Sequence, residues 1–174
     1  MIRPAVAGDV PALARVQVRA WLHAYSAFID PEEIAARPVE VREPQWRSAL
    51  TDPANPVVTV VWDQDGAVAG FATTGPARDE DLDGGWGELY ALYVDPGAWG
   101  SGAGRALIER AETHLADGYD EAALWVLEDN PRARRFYELA GWSPDGTLTE
   151  GEWFGVRATE VRYRKRLSRS RSAA

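Results

Sequence analysis

Leu92-Tyr93-Val94-Asp95-Pro96-Gly97-Ala98-Trp99-Gly100-Ser101-Gly102-Ala103-Gly104-Arg105 passes from an apolar run through a glycine-rich turn toward a helix. Trp86 to Val94 reads as a central strand, and Pro96 ends it because proline cannot donate to a strand ladder. Beyond the turn, Leu107, Ala111 and Leu115 share one face, with Ile108 beside them, so a helix runs to about Ala116. Glycines at 100, 102 and 104 allow a tight turn and leave no side chain in front of the backbone N–H groups. Bare N–H groups at a helix N-terminus, aided by the helix dipole, make an anion site that suits a pyrophosphate. Two familiar phosphate loops do not fit. A nucleoside-triphosphate loop needs Gly-Lys-Ser/Thr, whereas Gly104 is followed by Arg105-Ala106. A dinucleotide fingerprint begun at Gly100 or Gly102 needs a small residue at 105 or glycine at 107, and the chain has Arg105 and Leu107.

Downstream, Glu121 to Leu127 is another apolar strand. Asn130-Pro131 then opens a helix, with asparagine as cap and proline at the first helical position. Ala133, Phe136, Tyr137 and Ala140 form its stripe, and Gly141 is placed to end it in a left-handed conformation. Trp153 to Leu167 holds at least one last strand, and Ser168 to Ala174 reads as a disordered basic tail. Upstream, Ile2 to Ala5 is a short strand, and Asp9 with Pro11 starts a helix that carries Leu13, Val16, Ala20 and Ala24. Trp21 and Tyr25 share one face of it. Prolines break residues 26–56 into short pieces, the clearest being a helix near Glu40 to Leu50. Val57 to Trp62 and Ala67 to Thr74 form a hairpin about the turn Asp63-Gln64-Asp65-Gly66. Residues 79–85 read as an acidic, flexible loop. Strands alternating with helices in this order give a mixed α/β architecture around one sheet.

The chain has 174 residues, and residues 1–167 read as one domain. A net charge of −8 argues against a nucleic-acid-binding surface over the whole molecule. Arg162, Arg164 and Arg166 alternate along the last strand and read, with Lys165, Arg169 and Arg171, as a solvated basic face and tail. The absence of cysteine excludes a disulfide framework, a thiolate zinc site and a cysteine nucleophile. Only His23 and His114 could supply imidazole, so no metal site is expected, and both read as surface or capping residues. No run approaches the ~18 apolar residues of a membrane span, and the first residues lack a signal-peptide core. A cytoplasmic protein is the expectation.

Leu124-Trp125-Val126-Leu127-Glu128-Asp129-Asn130-Pro131-Arg132-Ala133-Arg134-Arg135-Phe136-Tyr137-Glu138-Leu139-Ala140-Gly141-Trp142 completes the pattern begun by the glycine turn. Together the two motifs resemble the GNAT superfamily of acyl-CoA N-acyltransferases. The likeness is strong over residues 86–142 and loose over the opening strand and helix and the central hairpin. It implies a single α/β domain whose mixed, mostly antiparallel sheet splays at the central strand, with helices on both faces. It also implies transfer of acetyl from acetyl-CoA to an amine in a ternary complex, without a metal. The turn from Gly100 through Ser101, Gly102, Ala103 and Gly104 to Arg105 would hold the CoA pyrophosphate on its backbone N–H groups. The family usually has Arg or Gln where this chain has Trp99, which puts a side-chain contact there in question. The backbone at Leu92, Tyr93 and Val94 would pair with the pantetheine arm, and one N–H would polarise the thioester carbonyl. Asn130 would bond to the arm, with Arg132 and Phe136 in the same cofactor-binding set, and Tyr137 would act as general acid at the sulfur.

Asn130 and Tyr137 are seven residues apart, so they share a helix face about 10 Å apart along the axis. The apolar stripe alone would equally explain Tyr137. An amine of pKa near 10.4 is mostly protonated at neutral pH, so attack needs a base. Glu88 is the candidate, and strict alternation puts it on one face with Tyr90 and Leu92. Trp21, Tyr25, Trp86 and Trp153 fall near the expected acceptor side and could wall it. The acceptor stays open among a small polyamine, an amino acid, an antibiotic and a protein N-terminus or lysine. Homodimer formation stays open too. A non-catalytic acyl-CoA sensor on the same fold would keep the turn and Asn130 and would need neither Tyr137 nor a base.

Overall fold

A computed structural model describes residues 1–27 and 29–168. Seven strands lie in the order β1-β2-β3-β4-β5-β7-β6. They are β1 (Ile2–Pro4), β2 (Val58–Gln64), β3 (Ala67–Pro76), β4 (Trp86–Val94), β5 (Glu121–Leu127), β6 (Ser143–Trp153) and β7 (Val156–Arg166). The helices are α1 (Val10–Tyr25), α2 (Pro31–Ala35), α3 (Val39–Thr51), α4 (Ala103–Gly118) and α5 (Pro131–Leu139). Side-chain alternation along β2 and β3 explains why helices cover both faces. Val61 and Phe71 meet Leu13 and Val16 of α1 on one side. Val60 and Ala72 meet Leu107, Ile108, Ala111 and Leu115 of α4 on the other. These four α4 residues are the helical stripe read from the sequence.

β4 and β5 are the only parallel neighbours among the described strands, and they pair only from Trp86–Glu88 to Glu121–Ala123. β4 then continues to Val94 and β5 to Leu127 without a ladder between them. A wedge-shaped cleft opens there. This is the expected splay, and it leaves strand edges without partners in the middle of a sheet.

The register of β4 departs from strict alternation. Thr73 pairs with Ala91 and Thr74 with Leu89, so Tyr90 is an extra, bulged residue. Its ring turns back over Gly75, and its hydroxyl donates to the Pro76 carbonyl. The bulge moves everything after it to the opposite face. Leu89 and Leu92 both pack on the α4 side, while Ala91 and Tyr93 pack toward α1. Glu88 therefore does not share a face with Leu92, as simple alternation would have it.

Other local expectations also change. Asp9 does not cap α1. Its carboxylate takes two guanidinium bonds from Arg3, at 2.7 and 2.9 Å, and the Val6 N–H at 2.9 Å. Asn130 does cap α5, accepting from the Ala133 N–H at 3.0 Å, and Gly141 ends that helix at φ 86°. The last strand expected after Trp153 is β7, and it closes a long hairpin with β6, which already begins at Ser143.

The acidic segment 79–85 is pinned rather than free, and Arg162 is buried rather than solvated. The Arg162 guanidinium bonds Asp81 twice at 2.7 Å, Asp79 at 3.2 Å, Asp145 at 2.8 Å and Thr147 at 3.0 Å. Arg164 keeps half its exposure and lies over the Trp86 ring. Residues 169–174 of the expected tail lie outside the described residues.

Candidate active site

The glycine turn presents its amides as the sequence suggested. Gly100 and Gly102 have φ of 79° and 87°, a conformation that costs any residue with a Cβ about 1–2 kcal/mol. A Cβ built on either would meet nothing within 4 Å, so the space before them is open. Within the turn, the Ser101 N–H is used by Ala98 and the Ala106 N–H by Gly102. The Ser101 hydroxyl donates to the Ala98 carbonyl at 2.7 Å and accepts from the Ala103 N–H at 3.3 Å. Ser101 thus braces the turn instead of facing the cleft. Among the described residues the N–H groups of Gly100, Gly102, Gly104 and Arg105 have no protein acceptor. The Arg105 side chain turns away to Glu109 at 2.8 Å. Phe136 of α5 lies against Gly104, 3.4 Å from where a Cβ would be, which sets how closely α5 approaches the start of α4.

A second set of free amides lies along β4. The Asp95 N–H bonds to Ala69 on β3 at 2.8 Å. Two-residue alternation then aims the amides of Tyr93 and Ala91 at β3, and those of Leu92 and Val94 at the unpaired edge. The Val94 carbonyl on that edge accepts the Trp99 indole N–H at 3.0 Å. The Trp99 side chain has no other N–H, so it shapes the corner and cannot replace the donor that Arg or Gln would supply. Its ring meets His23 edge-on at 4.4 Å, and the Arg132 guanidinium lies 3.2 Å from its centroid. A cation is thereby held beside the turn, and His23, exposed as read, also lines the cleft.

These elements border one cleft of 1110 Å³ that reaches from Gly100 past Tyr137 to Trp153 and Glu160. The Tyr137 side chain lines it, with no hydrogen-bond partner among the described residues. Burial pushes the Tyr137 hydroxyl well above its usual range, and Tyr93 nearby adds to the shift. It therefore keeps its proton at any physiological pH. Tyr25 and Tyr93 lie next to it, and burial raises both hydroxyls as well.

At the far end the expected residues separate. Tyr25 and Trp153 line the cleft, with ring centroids 5.7 Å apart. Trp21 is buried behind them, edge-on to Tyr93 and Phe154. Trp86 lies outside, on the strand start under Arg164. Glu88 is in the cleft, 2 % exposed, but Arg78 occupies both of its oxygens. The Arg78 backbone N–H gives 3.0 Å to Oε2, its Nε–H reaches both oxygens at 3.2 and 3.1 Å, and Nη2 bonds Oε1.

The family model described as Acetyltransferase (GNAT) family matches residues 18–142. The chain belongs to the GNAT acetyltransferase family. An N-acetyltransferase of Bacillus subtilis (strain 168), YuaI, is 35 % identical over 162 residues, covering 92 % of this chain and 89 % of that one. A mycothiol acetyltransferase of Beutenbergia cavernae is 52 % identical over 59 residues, covering 33 % of this chain and 20 % of that protein. The fold matches the PaiA N-acetyltransferase of Thermoplasma acidophilum, solved in complex with coenzyme A, at a TM-score of 0.77 and 18 % identity, covering 95 % and 98 % of the two chains.

Within this GNAT domain, sequence reasoning passed over Arg78, Trp125 and Glu160, which all line the acceptor end. The indole N–H of Trp125 bonds Asp79 at 3.0 Å, which explains why a strand tryptophan faces the cleft. One signal for Glu160 was present in the chain. β7 alternates, so Glu160 shares a face with Arg162, Arg164 and Arg166 and is the lone acid among them. Among the described residues no group of three or more metal-ligating side chains is assembled, and no helix is long and apolar enough to cross a membrane.

Proposed function

We propose that this GNAT N-acetyltransferase binds acetyl-CoA along the unpaired edge of β4 and acetylates a primary amine that enters from the Trp153 end, in the cytoplasm. The observation that carries this reading is the pair of partnerless amide sets, Leu92 and Val94 on the β4 edge and Gly100, Gly102, Gly104 and Arg105 in the turn that follows. Such a pair suits an extended chain that ends in a pyrophosphate. The chain's own groups fit that guest, because the space that a Cβ would take at Gly100 and Gly102 is open. Arg132, stacked on Trp99, adds positive charge beside the turn. The Asn130 carbonyl oxygen is used by the helix cap, which leaves its amide N–H groups for the arm.

Bound acetyl-CoA supplies the thioester. The protein supplies position and polarity. An N–H of Leu92 or Val94, fixed on a strand, polarises the thioester carbonyl where negative charge develops. Tyr137, kept protonated by burial, donates a hydrogen bond to the sulfur and supports its departure. Glu88 holds Arg78 and with it the loop that borders the acceptor end. A non-catalytic sensor would have no use for a protonated hydroxyl placed there.

Titration calorimetry with acetyl-CoA, ATP and NAD tests the binding half, and only acetyl-CoA is expected to give heat. Tyr137→Phe is expected to lower kcat about tenfold to a hundredfold while the acetyl-CoA Kd stays within about twofold. Unchanged turnover would remove Tyr137 from the chemistry.

A further inference from the structure

Of the carboxylates that line the cleft, three are accounted for. Asp79 serves Trp125 and Arg162, Glu88 serves Arg78, and Asp129 is exposed on the loop before Asn130 at the cofactor end. Glu160 is different. It is half-buried on β7, beside Leu127 of β5 and Thr149 of β6 in the sheet register. Among the described residues no arginine or lysine forms an ion pair with it.

The groups that face Glu160 come from every element around the acceptor end. Trp153 of β6 lies close by, its indole nitrogen and a Glu160 oxygen each 3.9 Å from where a Cβ on Gly151 would be, and Arg78 and Glu88 act on it from across the cleft. Tyr25 of α1 and Tyr93 of β4 feel its charge. Tyr25, Trp125 and Trp153 add aromatic faces to the same cleft. A carboxylate with no cationic partner, set among aromatic rings, suits a primary ammonium, which gains both an ion pair and cation–π contact.

We propose that Glu160 binds the ammonium of a slender cationic amine between Tyr25, Trp125 and Trp153 and accepts the proton that the amine sheds before attack. This rests on the acetyl-transfer reading given above. Burial supports it by raising the Glu160 carboxyl above its ordinary range, against the opposing pull of the Trp153 indole N–H and Arg78, and with Glu88 adding to the rise. A base lifted toward neutrality is better matched to an amine than an ordinary carboxylate.

The step balances. The ammonium gives one proton to Glu160, and the freed nitrogen pair forms the N–C bond to the acetyl carbon. The C–S bond breaks with its electron pair going to sulfur. A second proton from nitrogen ends on that sulfur, beside the Tyr137 hydroxyl. Glu160 returns its proton to water as the product leaves.

The test uses the full chain, acetyl-CoA, and free-thiol release with 1,4-diaminobutane, 2-phenylethylamine, aspartate and glutamate as acceptors. Wild type is expected to favour the two cationic amines over the two amino diacids by about tenfold or more in kcat/KM. Glu160→Gln is expected to lower kcat/KM for the cationic amines by about tenfold or more and to erase the acid limb of its pH profile. Glu160→Asp should restore part of the activity, and the acetyl-CoA Kd should stay within about twofold in both variants. An unaltered pH profile in Glu160→Gln, preference for the diacids, or acetyl-CoA binding without acetylation of any of the four would overturn the proposal. Failure of wild type to bind acetyl-CoA at all would bring down the acetyl-transfer reading itself, a result separable from these.

Discussion

Replacing Gly102 by valine weakens acetyl-CoA binding by on the order of a hundredfold or more, with the fold retained. Gly102 has φ of 87° and immediately precedes α4, so its N–H and those of Gly104 and Arg105 all open toward one place. A β-branched side chain acts there in two ways. It strains the left-handed conformation by ~1–2 kcal/mol, which tends to rotate the amides away. It also sends methyl groups into the open space beside the turn. Each charge-assisted hydrogen bond lost to a phosphate oxygen is worth about 1.5–3 kcal/mol, and two of them already exceed a hundredfold. Gly118 is the control, since it is also open around a built Cβ but sits at the far end of α4. Titration calorimetry on Gly102→Val and Gly118→Ala, with circular dichroism of both, decides the matter. A normal Kd in folded Gly102→Val would mean that the pyrophosphate is held elsewhere.

What the sequence showed and what it hid follow from the range of the interactions. The glycine turn, the α4 stripe and the Asn130-Pro131 start of α5 are local, set by neighbours within a few residues, and all are as read. The splay came from likeness to a family rather than from any local signal, since it depends on where β4 and β5 stop pairing. The bulge at Tyr90 was hidden because it arises in the pairing with Thr73 and Thr74, which no single strand displays. It sets Glu88 and Leu92 on opposite faces of β4. The role of Arg162 was hidden more deeply, because its partners Asp79 and Asp81 are 83 and 81 residues away. Alternating arginines at a chain end look solvated until a loop from the middle of the chain is laid on them. Trp99 is a middle case. The sequence marked it as a departure from its family, and only the structure showed its indole closing the Val94 carbonyl and carrying Arg132.

Arg162→Met is expected to lower unfolding stability at pH 7.5 by about 3–5 kcal/mol, and the deficit should shrink in acid. The side chain is 6 % exposed and that of Asp145 7 %, so the methionine variant leaves a buried carboxylate without its cation. In the native protein burial alone would raise Asp145. The Thr147 backbone and hydroxyl and then Arg162 outweigh it, so its carboxyl lies below the usual range. A folded-state value below the unfolded one contributes stability that is present above the unfolded value, near 3.9, and is lost as pH falls through the folded value. Protonating Asp145 removes the uncompensated charge in the variant, so the deficit should already be smaller at pH 4 and go on shrinking as pH falls through the native value. Urea unfolding at pH 7.5 and pH 4 measures this. A difference under 1 kcal/mol at pH 7.5, or one that grows in acid, would refute it. Function should follow the same contact. Arg162 fixes Asp79, Asp79 fixes Trp125, and Trp125 walls the acceptor end, whereas the turn from Gly100 to Arg105 shares none of these bonds. The folded fraction of Arg162→Met should therefore bind acetyl-CoA as wild type does and show a raised KM for the amine. Equal losses in both affinities would mean instead that the cleft responds as one body.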